Sequence, residues 1–359
     1  MADPFTAFAH IPCAAPAELL ALLCDRMEPE ATRHRLSGAA RLENWCGEVD
    51  LAVEAPGRLS LRARSDREDR LAVLKMQLAE HIHAAAAGTV AAFAWEGHGA
   101  GNPCLPYFRE MRVAGTRQLT PLMRRVVLAG DAAHFAAGGL HVRVLIPPAG
   151  RDPVWPHAAP DGRTIWPGGA DALTPRVYTV REVDLARGEI ALDVMQHPGL
   201  ATPGADWSRH ARAGDRVGLL GPGGAGLPPA RWYLLAGDET ALPAIARMVA
   251  TLPADVEAVI RLEVADHREQ QPLPSLARLD VQWLHRNGAA PGTGDRLERA
   301  VRALAFPPDA ENVHVWAGCE QKTARALRRL ITGERGLAKR RCAIAAYWRL
   351  GHPGIDLAD

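Results

Sequence analysis

The chain has 359 residues, 48% hydrophobic and 23% charged, a balance that fits a globular protein of two or three domains and excludes a disordered one. Lys plus Arg number 42 against 41 Asp plus Glu, a net charge of +1, so no global field draws the chain to nucleic acid or an anionic membrane, and an anionic ligand must be met by a local cluster. Six cysteines lie far apart without metal-ligand spacing, residues 1–12 lack the order of a signal peptide, and no stretch reaches the ~20 apolar residues of a membrane helix; free thiols in a soluble, cytoplasmic protein without stable membrane insertion are expected.

Residues 16–27 open with proline and repeat leucine at spacings of three and four, which predicts a helix. Residues 39–45, 48–54 and 58–64 alternate polar and apolar side chains around Gly47 and Pro56-Gly57, the pattern of a small antiparallel meander. Ser65 or Asp66 caps a second predicted helix with Leu71, Leu74, Leu78 and Ile82 on one face. A strand over 90–95 and a glycine-rich linker over 97–103 close a small α+β domain spanning residues 1–98. His81 and His83 stand two apart, so they face different ways on a helix; with no third ligand in the sequence, no metal site is assigned.

From residue 106 the pattern turns to strands, at 108–117, 123–129, 140–146, 174–181, 189–197 and 216–220, with a Pro/Gly/Trp-rich loop over 151–172. Six strands without a long helix predict a small antiparallel β-barrel over 106–227. Its densest chemistry is Thr174-Pro175-Arg176-Val177-Tyr178-Thr179-Val180-Arg181. Alternation puts Arg176 and Tyr178 on one face, with Thr179 next door. A guanidinium suits a pyrophosphate, a tyrosine ring a flat heterocycle, and a threonine hydroxyl or amide a ring edge. A dinucleotide with a flat ring, such as FAD, needs that set; an exposed edge strand has the same pattern. Gly204-Ala205-Asp206-Trp207 starts a short helix whose free N–H groups suit a phosphate, or else lets the chain turn tightly. The glycine run at 221–226 is followed by Pro228-Pro229 rather than a helix, so it reads as a turn between domains and not as a Rossmann fingerprint.

Residues 231–236 are a short apolar run leading into Gly237, Asp238, Glu239 and Thr240 and an amphipathic helix to residue 251. Strands at 256–264, 281–284, 313–317 and 342–347, with a helix at 320–332, predict an α/β domain with an open parallel sheet over 228–359. Ligands of such a sheet lie at the carboxyl ends of its strands.

In their order these motifs resemble the siderophore-interacting proteins, FAD-dependent ferric-siderophore reductases of the ferredoxin-reductase-like class. The match runs through Arg124 to Asp131, His141-Val142-Arg143-Val144-Leu145-Ile146-Pro147, Arg176 to Arg181, Gly214-Asp215, Gly221-Pro222, Gly237-Asp238-Glu239-Thr240-Ala241, and Tyr347-Trp348-Arg349 with Gly351. Three places depart from the family pattern: Trp316-Ala317-Gly318-Cys319-Glu320, Ala346 before Tyr347, and Pro203 before Gly204-Ala205. The resemblance implies an FAD-binding barrel, with Arg176 on the pyrophosphate, Tyr178 and Thr179 by the isoalloxazine, and His197, Gly204, Ala205 and Trp207 completing the seat. It implies an NAD(P)-binding domain that brings Gly237, Asp238, Glu239, Thr240, Tyr347 and Trp348 to the cofactors. Electrons would pass from NADPH or NADH through FAD to Fe(III) in a siderophore, releasing Fe(II) in the cytoplasm, with no protein acid, base or nucleophile required.

Arg181, Lys339, Arg340, Arg341 and Arg349 are candidate cations for an anionic siderophore. Arg268 suits the 2′-phosphate of NADPH and Asp266 the free ribose of NADH; the balance leans to NADPH. A monomer is expected. Two other functions remain open: a general NAD(P)H–flavin reductase serving a carrier protein, and a siderophore-binding or iron-sensing module without turnover. The first domain resembles a small bacterial domain of unknown function and receives no role.

Overall fold

The computed structural model describes residues 4–27, 32–36, 38–86, 90–197, 199–224 and 226–352; Ala225 of the glycine-rich run and residues 353–359 of the last domain fall outside them. The chain forms two compact units, Met1–Phe108 with Val154–Ala172, and Arg109–Pro153 with Leu173–Asp359.

In the first unit a six-stranded antiparallel sheet has the order β2-β3-β4-β5-β1-β6. Its strands are β1 (Phe5–Pro12), β2 (Thr32–Leu36), β3 (Ala39–Asn44), β4 (Gly47–Ala55), β5 (Arg58–Ser65) and β6 (Trp95–Gly97). Helices α1 (Pro16–Met27) and α2 (Glu68–Ala86) cover one face. β5 shows why: Leu59, Leu61 and Ala63 alternate with exposed or half-buried Arg58, Ser60, Arg62 and Arg64, so every second side chain meets the leucines of α1 and α2. Two differences from the sequence reading stand out. β1 is an inner strand that the reading omits, and residues 90–94 are not strand, the pairing with β1 beginning at Trp95.

The loop expected in the barrel domain belongs to this unit from Val154 onward. It forms the short pair β10 (His157–Ala158) and β11 (Thr164–Ile165). The indole of Trp95 donates to the Asp161 carbonyl at 2.8 Å, and the Asp161 carboxylate meets His83 at 3.0 Å.

The second unit opens with a closed barrel in the order β12-β13-β8-β7-β14-β9. Its strands are β7 (Phe108–Thr120), β8 (Met123–Ala129), β9 (His141–Ile146), β12 (Thr174–Asp184), β13 (Glu189–Met195) and β14 (Arg216–Gly223), and α3 (Pro203–His210) lies between β13 and β14 in the chain. Val113, Val126, Leu128, Val142, Val144, Val180, Leu192 and Leu219 fill the interior.

A five-stranded parallel sheet follows, ordered β17-β16-β15-β18-β19. It comprises β15 (Trp232–Asp238), β16 (Glu257–Val264), β17 (Arg278–His285), β18 (Val313–Glu320) and β19 (Cys342–Trp348). Helices α4 (Leu242–Val249), α5 (Arg296–Arg302) and α6 (Gln321–Arg328) pack on it, dividing its apolar residues into two cores. β15 and β18 are buried along their whole length, as expected for central strands covered on both faces.

Candidate active site

β12 lies between β9 and β13 in the barrel, with Tyr178 opposite Val142 and Thr179 opposite His141. Tyr178 packs on the barrel core, and burial holds its phenol above the ordinary tyrosine range. Its hydroxyl lies against α3: a Cβ added at Gly204 would stand 1.7 Å from that oxygen, so only glycine permits this approach. Thr202 offers α3 no side-chain cap, and the first amide to find a carbonyl is that of Asp206, bonded to Thr202. The amides of Gly204 and Ala205 are therefore the open donors of this helix end. The Ala205 and Trp207 side chains pack inward.

Arg176 shares a strand face with Tyr178 and donates to the Pro175 carbonyl at 2.5 Å, and has no ion pair among the described residues. A guanidinium without a carboxylate, two open helix amides and a tyrosine wedged beside them fit the diphosphate of a dinucleotide such as FAD.

Thr179 is buried beside Tyr178, opposite His141 in the barrel. Arg181 is the extra residue where the β12–β13 register shifts between Val180 and Glu182. A bulge re-aims its side chain, leaving Arg181 half-buried beside Asp193, Arg125 and Glu182, with burial the main influence lowering its guanidinium below the ordinary value. His197 is also half-buried; burial lowers its imidazole, and the nearby Glu239 charge opposes that.

At the carboxyl end of β15 the Gly237–Thr240 turn is organised from inside. Asp238 accepts the Thr240 amide at 2.9 Å and hydroxyl at 2.5 Å through one oxygen, and the Trp348 indole N–H at 2.8 Å through the other. Burial pushes its carboxyl above the usual range. Glu239 receives both Arg286 nitrogens, at 2.6 and 2.9 Å, and the Ala265 amide at 2.7 Å. Both carboxylates thus face inward and set the turn, leaving its backbone and Thr240 as the outward part.

Among the hydrogen bonds that join the barrel to the parallel-sheet domain, one lies between these two strand ends. His141, opposite Thr179 in the barrel, contacts the Tyr347 hydroxyl at 2.7 Å. Burial and the neighbouring Arg247 lower the imidazole to about 4, so it is neutral near pH 7. Tyr347 stands where the β18–β19 register shifts, and its ring lies on Gly318, where a Cβ would come within 2.9 Å of it. Ala346, one residue earlier, sits opposite Cys319. The Cys319 thiol is buried, which raises it far above a reactive value, and Glu320 caps α6 through the Lys322 and Thr323 amides.

Two expectations are corrected. Lys339 and Arg340 do not join Arg349 in a cationic mouth. They precede β19, whose seven residues carry the chain about 23 Å across the sheet to Trp348; Arg340 and Arg341 there pair with Glu311 at 2.6 and 3.0 Å. Arg268 does not stand free for a 2′-phosphate either: it binds Asp266 at 2.7 and 3.0 Å, and that pairing, led by the side-chain hydrogen bond, holds the aspartate well below its usual range.

Several residues that build the junction escaped the sequence reading. Arg247 of α4 donates to the carbonyls of Val180 at 2.8 Å and Phe135 at 3.3 Å; its signal was a lone cation in an otherwise apolar helix. Glu269 accepts the Thr120 hydroxyl at 2.5 Å and the Leu122 amide at 2.9 Å, fastening the β7–β8 turn. Arg286 carried no local signal, since its partner Glu239 is 47 positions away.

A closed barrel, with Tyr178 seated against the start of α3, is joined within one unit to a five-stranded parallel sheet. Family models match in the same order: the siderophore-interacting FAD-binding domain over residues 112–226 and the siderophore-interacting protein domain over residues 230–351. The chain is 30% identical over 234 residues to the ferric vibriobactin reductase of Vibrio cholerae serotype O1, covering 63% of this chain and 84% of that protein. A siderophore utilization protein from T. fusca shares 36% identity with a TM-score of 0.57, over 69% of this chain and 95% of its own. The siderophore-interacting protein SipS of Aeromonas hydrophila shares 25% identity with a TM-score of 0.57, over 68% of this chain and 93% of its own. The chain belongs to the siderophore-interacting protein family, and its barrel is that family's FAD-binding domain.

Proposed function

We propose that this protein is an FAD-dependent reductase that moves electrons from NADPH or NADH to ferric iron held by a siderophore, acting in the cytoplasm as a monomer. The observation that carries the reading is the path Gly204–Tyr178, Thr179 opposite His141, and His141–Tyr347. It joins the diphosphate cradle of the barrel to the strand ends of the parallel sheet within one unit. Bound flavin supplies the exchange between a two-electron donor and a one-electron acceptor.

The protein's part is orientation. Arg176 and the Gly204 and Ala205 amides hold phosphate charge, Tyr178 fixes the helix against the barrel, and the Gly237–Thr240 turn with Trp348 receives the nicotinamide dinucleotide. Arg181 and Arg349 are the cations left to attract an anionic ferric siderophore. Ferric iron is substrate; once reduced, it is held less firmly by hard oxygen ligands and leaves.

The test is direct. Purified protein should carry absorbance near ~450 nm, as a flavin does. Anaerobic mixing with NADPH or NADH should bleach that band. A ferric siderophore should then restore it while a ferrous chelator captures iron. A colourless protein, or a reduced one reoxidised by ferredoxin and not by ferric siderophores, would overturn the reading. Among the described residues no helix is long and apolar enough to cross a membrane.

A further inference from the structure

The first unit contains a feature that the reductase reading does not use. α2 buries Leu71, Leu74, Leu78 and Ile82 along one stripe, and Lys75 lies in that stripe, 7% exposed. An apolar side chain would sit there without electrostatic penalty. A buried ammonium loses several kcal/mol of hydration unless it is paired. Its hydrogen bond goes to the His98 carbonyl at 3.1 Å, and among the described residues no carboxylate forms an ion pair with it. Glu68, about two helical turns earlier, acts on it only through its charge, while burial lowers the amine below the ordinary lysine value. An ammonium has three donors, so two remain.

Those donors border a cavity of about 260 Å³ built from residues of this unit alone. Leu71, Trp95, Pro103, Leu105, Pro106 and Pro160 give it an apolar lining. Several polar atoms of the surrounding walls are engaged elsewhere, the Trp95 indole with Asp161, the Tyr107 hydroxyl with Thr164 at 3.1 Å, and the Asn102 side chain with the Cys104 amide at 2.9 Å, while Glu68 also borders the cavity. Beside the ammonium the chain passes as Gly99, at φ +69°, and a Cβ there would come within 3.2 Å of Nζ. Glycine thus keeps a side chain from crowding the lysine head. The volume lies just below the roughly 300–1,000 Å³ of small-molecule pockets.

We propose that this cavity is a second ligand site, taking a small organic carboxylate whose apolar body fills the lined space and whose carboxylate pairs with Lys75. The carboxylate offers the charge-assisted acceptors that the buried ammonium lacks, and the proline- and tryptophan-lined walls suit a flat or aliphatic body. The site is independent of the flavin reading, since neither the barrel nor the parallel sheet contributes to it.

Benzoate and hexanoate are suitable probes, with benzamide as the uncharged counterpart, titrated calorimetrically into the full chain. At least one carboxylate is expected to bind with a dissociation constant of about 1 mM or tighter, and benzamide at least about tenfold more weakly, a factor equal to one buried charge-assisted contact. Lys75→Met keeps the apolar stem and removes the charge; carboxylate binding should fall about tenfold or more while flavin absorbance stays unchanged. Gly99→Asp keeps Lys75 and places a carboxylate beside it, at a φ that aspartate tolerates; it should abolish binding of the added acid. No binding of either acid to the wild-type chain, equal binding to Lys75→Met, or benzamide binding as tightly as benzoate would overturn the proposal. Loss of carboxylate binding with flavin reduction intact would support it, and a failure of the reductase assay would leave this result standing.

Discussion

Arg286→Met removes the guanidinium from the acidic cluster behind the Gly237–Thr240 turn. The Arg286 and Glu239 side chains are each 3% exposed and meet through two bonds of 2.6 and 2.9 Å, with Glu263 at 3.9 Å from the same guanidinium. Methionine preserves much of the packing, so the loss is mainly electrostatic. Removing one partner of a buried pair costs about 3–5 kcal/mol, because the other charge is left uncompensated. For a unit of this size each kcal/mol moves the melting temperature by about 2–4 °C, which sets the expected fall at about 6–20 °C.

The loss should also depend on pH. Burial raises the Glu263 carboxyl and Arg286 opposes that rise, so the variant raises it further. A carboxyl raised in the folded state binds protons that the unfolded chain has released. Its contribution to stability is complete below the ordinary value of 4.5 and is lost as pH climbs through the raised folded value. The variant's deficit should therefore be larger at about pH 8 than at about pH 5. Urea and thermal unfolding followed by circular dichroism measure both quantities. A deficit under about 1 kcal/mol, the same at both pH values, would place the pair in the class of weak exposed bridges and refute the reasoning.

Arg176→Ala should weaken flavin retention by about 1.5–3 kcal/mol, roughly ten- to hundredfold, measured by equilibrium dialysis of the cofactor; unchanged retention would contradict the diphosphate assignment. Gly204→Ala should lower flavin content as well, because its methyl group must displace the Tyr178 hydroxyl, and the double variant Gly204→Ala with Tyr178→Phe should recover part of the loss. Trp348→Phe leaves one buried Asp238 oxygen without its N–H donor, so stability should drop by about 1–3 kcal/mol and flavin reduction by the nicotinamide should slow; an unaltered rate would detach Trp348 from the turn. His314 is 3% exposed, neither ring nitrogen has a hydrogen-bond partner among the described residues, and burial lowers it to about 4. A histidine lowered in the folded state contributes stability that is present above its unfolded value and lost as pH falls from about 6.5 through about 4. His314→Leu should therefore stabilise the unit and flatten its acid unfolding profile; a steeper profile would refute the assignment.

How far the sequence alone could reach differs from element to element for physical reasons. The leucine spacings of α1 and α2 and the alternation of β5 are local patterns, and each produced its element. β1 escaped because Phe5, Ala7, Ala9 and Ile11 alternate with little hydrophobic contrast, and an alanine strand carries a weak signal. The close approach of Tyr178 to Gly204 was legible as a glycine at a helix start beside an aromatic strand, and the proposed diphosphate cradle rests on that glycine, the tyrosine and the charge of Arg176. The interior of the Gly237–Thr240 turn was not, because Glu239 and Arg286 are distant in the chain and meet only when β15, β16 and β17 align. Bulges hid the aim of Arg181 and Tyr347, since strict alternation fails where one residue is added to a strand. The misplaced Lys339–Arg341 cluster has the same root. Eight positions separate Lys339 from Tyr347, which in a helix or turn would keep them near each other, but an extended strand carries them to opposite ends of the sheet. Charge near a motif in sequence indicates charge near a ligand only when the intervening element is known to fold back. Applied to the cations that remain, that criterion favours Arg349, one residue past Trp348, over any member of the 339–341 run as a siderophore contact.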